Sequence, residues 1–176
     1  MDEVSQLVEK AQEGDKDAYG KIYGLFYKRI YRYCQFNLAR QEVAQDICQE
    51  TFLRAWRSLP RFSLKGGSFQ AYLFKIAHNL IIDLSRKKKE FSIDNYQEVA
   101  SFEQDLDENI IKEEDIKKVR EAIDKLGDAE RQIIILRYFE EMTSVEVAKV
   151  VGVRHGALRV RTHRILKKLK GILQND

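Results

Sequence analysis

Residues 143–158 read Thr-Ser-Val-Glu-Val-Ala-Lys-Val-Val-Gly-Val-Arg-His-Gly-Ala-Leu, and their spacing decides the fold of the C-terminal part of the chain. Thr143 and Glu146 have capping-box spacing, in which a hydroxyl and a carboxylate satisfy free amides at a helix start. The short helix they open is expected to end near Gly152. Ala148, Gly152 and Leu158 then fall at helix-turn-helix positions: a small residue where two helices cross, a glycine at the turn, and an apolar anchor on the second helix. On that second helix Leu158, Ile165, Leu166, Leu169, Ile172 and Leu173 form the expected buried stripe. The opposite face carries Val160, His163, Arg164 and Lys167, with Arg159 and Arg161 on its flanks. No Asp or Glu occurs between Val147 and Asn175. Nothing in the segment neutralises its cations, a pattern that suits a major groove. Val160, His163 and Arg164 are best placed for base edges, and Arg159, Arg161, Lys167 and Lys168 for phosphates. A solvated surface helix would account for the basic face alone, but not for its coincidence with the capping box and the turn glycine.

Upstream of this motif, helical patterning starts at about Ile116 with Val119, Ile123 and Leu126, pauses at Gly127-Asp128, and resumes with Ile133 to Leu136. Between residues 90 and 115 there is no sustained period. That stretch carries one lysine against ten acids, which reads as a flexible acidic linker. The flanking segments, 1–89 and 116–176, are each net +6, so the overall +3 conceals two basic units on an acidic tether. Polyanions are the natural partners of such ends.

The N-terminal segment is helical throughout. Val4, Leu7, Val8 and Ala11 recur at helical spacing up to a break at Gly14-Asp15, and an aromatic-rich helix follows from about Asp17 to Leu38. A third helix presents Val43, Ala44, Ile47, Cys48, Thr51, Phe52, Ala55, Trp56 and Leu59 on one face until Pro60 stops it. A loop with two glycines leads to Ser68, an N-cap for a fourth helix from about Phe69 to Lys88. Its expected buried stripe is Phe69, Leu73, Ile76, Ala77, Leu80 and Leu84. The fold class is therefore all-α, with two small helical domains joined by a flexible acidic linker.

Away from these stripes lie the candidate interaction residues. Asp46, Gln49 and Glu50, at i, i+3 and i+4, offer an acidic and amide patch to a partner. Tyr72, Lys75, Asn79, Asp83 and Arg86 line one side of the fourth helix, which ends in Arg86-Lys87-Lys88-Lys89. Aromatic, amide and basic groups beside a glycine loop suit single-stranded or melted DNA.

Composition excludes other classes. The chain has 176 residues, of which 44% are hydrophobic and 34% charged, an ordinary globular make-up with room for one domain or two small ones. Cys34 and Cys48 form no CxxC pair and lie in helical patterns, so they are expected in the core rather than in a disulfide or zinc site. His78, His155 and His163 have no ligand spacing relative to them, and neither a metal, a cofactor nor a catalytic set is expected. The start of the chain has no signal-peptide pattern and no stretch approaches a membrane span, so a cytoplasmic location without membrane insertion is expected.

Two segments carry a resemblance. Asp46-Ile-Cys-Gln-Glu-Thr-Phe-Leu-Arg-Ala-Trp-Arg, then Gly67-Ser-Phe-Gln-Ala-Tyr-Leu-Phe-Lys-Ile-Ala-His-Asn-Leu-Ile-Ile-Asp-Leu-Ser-Arg, resembles the sigma-2 domain of extracytoplasmic-function sigma-70 factors. Leu136-Arg137-Tyr-Phe-Glu-Glu-Met-Thr-Ser-Val-Glu-Val-Ala, through Gly156-Ala-Leu-Arg-Val-Arg-Thr-His-Arg, is similar to their sigma-4 domain. The resemblance implies a sigma-2 domain over 1–89, a linker over 90–115 and a sigma-4 domain over 116–176. It implies transcription initiation without chemistry by the chain itself. Asp46, Gln49 and Glu50 would dock on the beta-prime clamp helices of core RNA polymerase. Ser63, Lys65, Ser68, Tyr72, Lys75, Asn79 and Arg86 would open and read the minus-10 element. Arg137, Arg159, Val160, Arg161, His163, Arg164 and Lys167 would read the minus-35 element. It also implies contact with the polymerase beta flap, promoter DNA as partner, and an anti-sigma factor able to cover both domains and recruit them to a membrane. Tyr72 stands where the family often has tryptophan, and Val160 where a small polar residue is common. A helix-turn-helix repressor or activator would explain the C-terminal motif equally well, but leaves the N-terminal faces unexplained.

Overall fold

A computed structural model describes residues 2–90 and 113–175. Among the described residues there are eight α-helices and no strand. They are α1 (Glu3–Gln12), α2 (Lys16–Asn37), α3 (Gln41–Ser58), α4 (Phe69–Glu90), α5 (Glu113–Asp124), α6 (Asp128–Ile134), α7 (Ser144–Val151) and α8 (His155–Asn175). The chain divides into two compact units, one built on α1–α4 and the other on α5, α6, the body of α7, and α8. Of the acidic stretch read as a linker, 90–115, both ends are helical, because Glu90 closes α4 and residues 113–115 open α5; residues 91–112 lie outside the described residues.

In the first unit local chemistry sets the helix starts. The Asp2 carboxylate accepts from the Ser5 amide at 2.8 Å, and Asp15 accepts from the amides of Asp17 and Ala18 at 2.9 and 3.0 Å. These caps satisfy donors that a helix start leaves unpaired. The four helices enclose a core of Val8, Ile22, Ile30, Cys48, Leu73 and Phe74, all fully buried. Each large aliphatic or aromatic side chain there contributes about 1.5–3 kcal/mol of burial free energy. Tyr33 is also fully buried: its ring meets Phe74 edge-on at 5.3 Å and its hydroxyl lies 3.4 Å from Nδ1 of His78. Both cysteines are buried, as expected for packing residues.

The buried arc of α4 is wider than the stripe read from the sequence. Ala71, Phe74 and Ile81 are buried as well as Phe69, Leu73, Ala77 and Leu80, whereas Ile76 and Leu84 are only half-buried. The cause is that α4 packs against α1, α2 and α3 together, so more than one face is covered.

In the second unit the core is Ala122, Ile123, Leu126, Ile133–Leu136, Met142, Val147, Ala148, Leu158 and Ile165. Val119 was expected in the buried pattern of α5 but is 42% exposed; periodicity names a face, not how far along it a partner extends. Periodicity assigns Leu166 and Leu173 to the buried stripe of α8, yet they are 40% and 42% exposed. The covered row is Leu158, Thr162, Ile165, Leu169 and Ile172. Leu166 and Leu173 sit one residue, about 100° of helix turn, beyond Ile165 and Ile172, outside the arc that α5 and α6 cover.

Candidate nucleic-acid interface

The helix-turn-helix is held by contacts that involve its own residues. Thr143 Oγ1 accepts from the Glu146 amide at 3.3 Å, while Glu146 Oε2 accepts from the amide and hydroxyl of Thr143 at 3.0 and 2.9 Å. Gly152 takes the left-handed conformation at φ 72° that ends α7, and the Val153 amide closes the turn on the Ala148 carbonyl at 3.0 Å. A side chain at 152 would make that conformation costly. Leu158 is fully buried and anchors α8. Ser144 Oγ, at the start of α7, lies 2.8 Å from Nε2 of His155, at the start of α8, fixing the two helix starts to each other.

On α8, Arg159, Val160, Arg161, His163, Arg164 and Lys167 are all exposed. Val160, 52% exposed, is an apolar site among cations. Lys168, grouped with the phosphate-facing residues on spacing, is instead engaged inside the unit: its Nζ lies 2.6 Å from Glu130 Oε2. Arg137 is also turned inward. Its Nη1 donates to the Met142 carbonyl at 2.8 Å, and its guanidinium lies 5.8 Å from the Tyr138 ring centre. It braces the π-helical turn Ile135–Phe139 and the following bend, where Glu141 has φ 51°.

In the first unit Asp46 and Gln49 are exposed on α3 and Glu50 is half-buried. The Glu50 carboxylate accepts from Arg54 Nε at 2.7 Å, one helical turn on, leaving Asp46 and Gln49 as the more open members of the patch.

The connection from α3 to α4 is shaped by side chains remote in sequence. Leu59–Arg61 and Leu64–Gly66 form single 3-10 turns. Gly67 has φ 141° and ψ −177°, a conformation open in practice to glycine alone. Ser68 Oγ accepts from the Ala71 amide at 3.2 Å, as expected of an N-cap. Gln12, which carries no motif that would single it out in the sequence, donates from Nε2 to the carbonyls of Leu59 and Phe62 at 2.9 and 2.8 Å. The Phe62 ring packs between Phe69 at 5.2 Å and Tyr72 at 4.6 Å. The Tyr72 hydroxyl is hydrogen-bonded to the Ser58 hydroxyl. Tyr72 is thus half-buried and braces the loop. Ser63 and Lys65 project from the loop, and Asn79 and Arg86 are exposed further along α4 on the side that also carries Lys75. No group of three or more metal-ligating side chains occurs among the described residues.

An exposed, acid-free second helix in a helix-turn-helix has the shape and charge that suit a DNA major groove. The Sigma-70 region 2 model matches residues 22–91 and the Sigma-70, region 4 model residues 122–171. The ECF RNA polymerase sigma factor BldN of Streptomyces coelicolor is 29% identical over 176 residues, spanning 98% of this chain and 67% of that protein. The ECF RNA polymerase sigma factor SigW of Bacillus subtilis is 26% identical over 183 residues, spanning 98% and 97%. In fold, the chain is similar to CnrH, solved with the cytosolic domain of CnrY, at a TM-score of 0.73 and 24% identity over 97% of this chain and 96% of that one. It is similar also to the sigma factor RpoE of Bartonella quintana, at a TM-score of 0.69 and 20% identity over 90% and 98%. The chain belongs to the sigma-70 family of RNA polymerase sigma factors, in its extracytoplasmic-function group. As a member it binds core RNA polymerase and directs it to promoters, which the repressor or activator alternative does not explain.

Proposed function

We propose that the work is divided between the two units, with residues 1–89 as the sigma-2 domain, 90–115 as a linker and 116–176 as the sigma-4 domain. Asp46, Gln49 and Glu50 dock the chain on the beta-prime clamp helices, and the second unit meets the beta flap. The loop bearing Ser63, Lys65 and Ser68, with Tyr72, Lys75, Asn79 and Arg86 of α4, engages and opens the minus-10 element. Arg137, Arg159, Val160, Arg161, His163, Arg164 and Lys167 meet the minus-35 element, Arg137 from a guanidinium that also donates to the Met142 carbonyl. Val160 favours a thymine methyl group where a polar residue would seek a hydrogen bond.

The chain contributes no bond-making step; the polymerase supplies the chemistry. It acts in the cytoplasm, consistent with the lack of any helix, among the described residues, long and apolar enough to cross a membrane. An anti-sigma factor covers both units and, if membrane-bound itself, recruits them there. Support for such a partner is that RpoE, similar in fold, was solved in complex with the anti-sigma factor NepR.

The observation that carries this reading is the order of the two sigma-70 regions within one short chain. The test is in-vitro transcription with purified core polymerase on a promoter-bearing genomic library. Transcripts that require the wild-type chain and fall with Asp46→Ala plus Glu50→Ala support it. Duplex binding without core binding or new transcripts would overturn it.

A further inference from the structure

We infer that Gln12, on α1, is a positioning residue for the loop that engages the opened minus-10 strand. The inference rests on the assignment of that loop to the minus-10 element. Leu59 and Phe62 lie 47 and 50 residues from Gln12, and both accept from its Nε2, at 2.9 and 2.8 Å. Because both partners are carbonyl oxygens, only the amide end of the side chain can face them. One carbonyl belongs to the C-cap of α3 and the other to the first residue after the 3-10 turn. The Leu59 carbonyl also accepts the Phe62 amide at 3.0 Å, which closes that turn. Carbonyls at a helix exit lack the i+4 amide that would complete them inside a helix. Gln12 therefore ties the exit of α3 at two points three residues apart, which fixes the direction in which the chain leaves it.

The path of the loop depends on that direction. Phe62 is wedged against Phe69 and Tyr72, and Tyr72 is hydrogen-bonded to Ser58. With Phe62 held at its carbonyl by Gln12 and at its ring by α4, the next residue, Ser63, starts the exposed loop from a fixed point. Gln12 is the last residue of α1, capped by Glu13, and Gly14, at φ 99°, turns the chain away after it. Pre-ordering the loop spares the strand the entropic cost of ordering it on binding. The effect falls on strand capture and not on docking to core polymerase, because Asp46 and Gln49 lie about three helical turns back along α3.

The test uses holoenzyme reconstituted from core polymerase and the full chain, with a promoter recovered by the wild type from a random-sequence duplex library. The probes are that duplex and its single non-template strand. Gln12→Glu keeps the side-chain length and removes both donors; Gln12→Lys keeps a donor. The expected result for Gln12→Glu is a loss on the order of tenfold in single-strand affinity and in the opening rate, the scale of two neutral hydrogen bonds. Core affinity stays unchanged, and Gln12→Lys recovers most of the loss. Unchanged strand affinity in Gln12→Glu overturns the proposal. So does an equal defect in Gln12→Lys, or a loss that follows the thermal midpoint and vanishes on cooling. Ser63→Ala plus Lys65→Ala serves as the loop control. If this pair leaves strand affinity intact, the loop assignment fails and the role of Gln12 with it. If the pair lowers affinity and Gln12→Glu does not, only the positioning role fails.

Discussion

Lys168 Nζ on α8 and Glu130 Oε2 on α6 are 2.6 Å apart, so one cation of an acid-free helix is neutralised by an acid from another helix. The lysine hydrogen bond, with help from the Gly127 amide, holds the Glu130 carboxyl below its ordinary value of 4.5. Both side chains are more than a third exposed, and the pair contributes about 0.5 kcal/mol. A lowered carboxyl pKa contributes stability that is present above its unfolded value and is lost as pH falls through the native one. Glu130→Gln keeps a cap acceptor and loses the ion pair. Its thermal midpoint is expected slightly below wild type at pH 7, the difference closing once the pH drops below the carboxylate range.

The two thiols make a prediction of opposite sign. Burial pushes the Cys48 thiol up to about 12 and raises that of Cys34 further. A raised thiol pKa contributes stability that is complete below the unfolded value, 9.0, and is lost as pH rises towards the native one. Stability is expected to decline above about pH 9. At pH 8 a thiol reagent should label neither cysteine until the chain is unfolded; prompt labelling of the native chain would contradict this.

On α3 the Glu50 carboxylate is shared with Arg54 at 2.7 Å, whereas Asp46 stands exposed. Asp46→Ala is expected to weaken core polymerase binding by about tenfold, or ~1.4 kcal/mol. Glu50→Ala should cost less. A competition assay against labelled wild type measures both, and the reverse order would displace the centre of the docking patch.

Arg164 is exposed on the free face of α8. If it reads a base, Arg164→Ala costs about 1–3 kcal/mol at one minus-35 position and little at others. Scanning every base of the element distinguishes this from a phosphate contact, for which the loss is uniform and the salt dependence falls.

Glu141 is the non-glycine residue with positive φ among the described residues, at 51°. Its side chain is exposed. Glu141→Gly is expected to stabilise the second unit by about 0.5–1 kcal/mol, because glycine takes the left-handed conformation without a Cβ clash. Thermal unfolding reads the shift directly; a destabilised variant would mean the carboxylate has a role in holding the bend.

Much of the fold is legible in sequence where the governing interactions are local. The capping box at Thr143 and Glu146, the left-handed turn at Gly152 and the N-cap at Ser68 each join residues within four positions. Arg137 shows the limit. Its guanidinium donates to the Met142 carbonyl, a partner brought close by a π-helical turn that periodicity does not reveal.

By itself, the sequence determined the capped and glycine-terminated helix ends, which faces are apolar, and that the recognition helix carries no acid. These follow from backbone capping and from the helical repeat, which act within a few residues. Only the tertiary structure decided that Thr162 is covered while Leu166 and Leu173 stay exposed, that Lys168 is paired with Glu130, and that Gln12 holds the exit of α3. The physical reason is common to all three. Burial, ion pairing and carbonyl capping between distant segments depend on which helices meet and at what rotation, and that arrangement exists only once the core has formed.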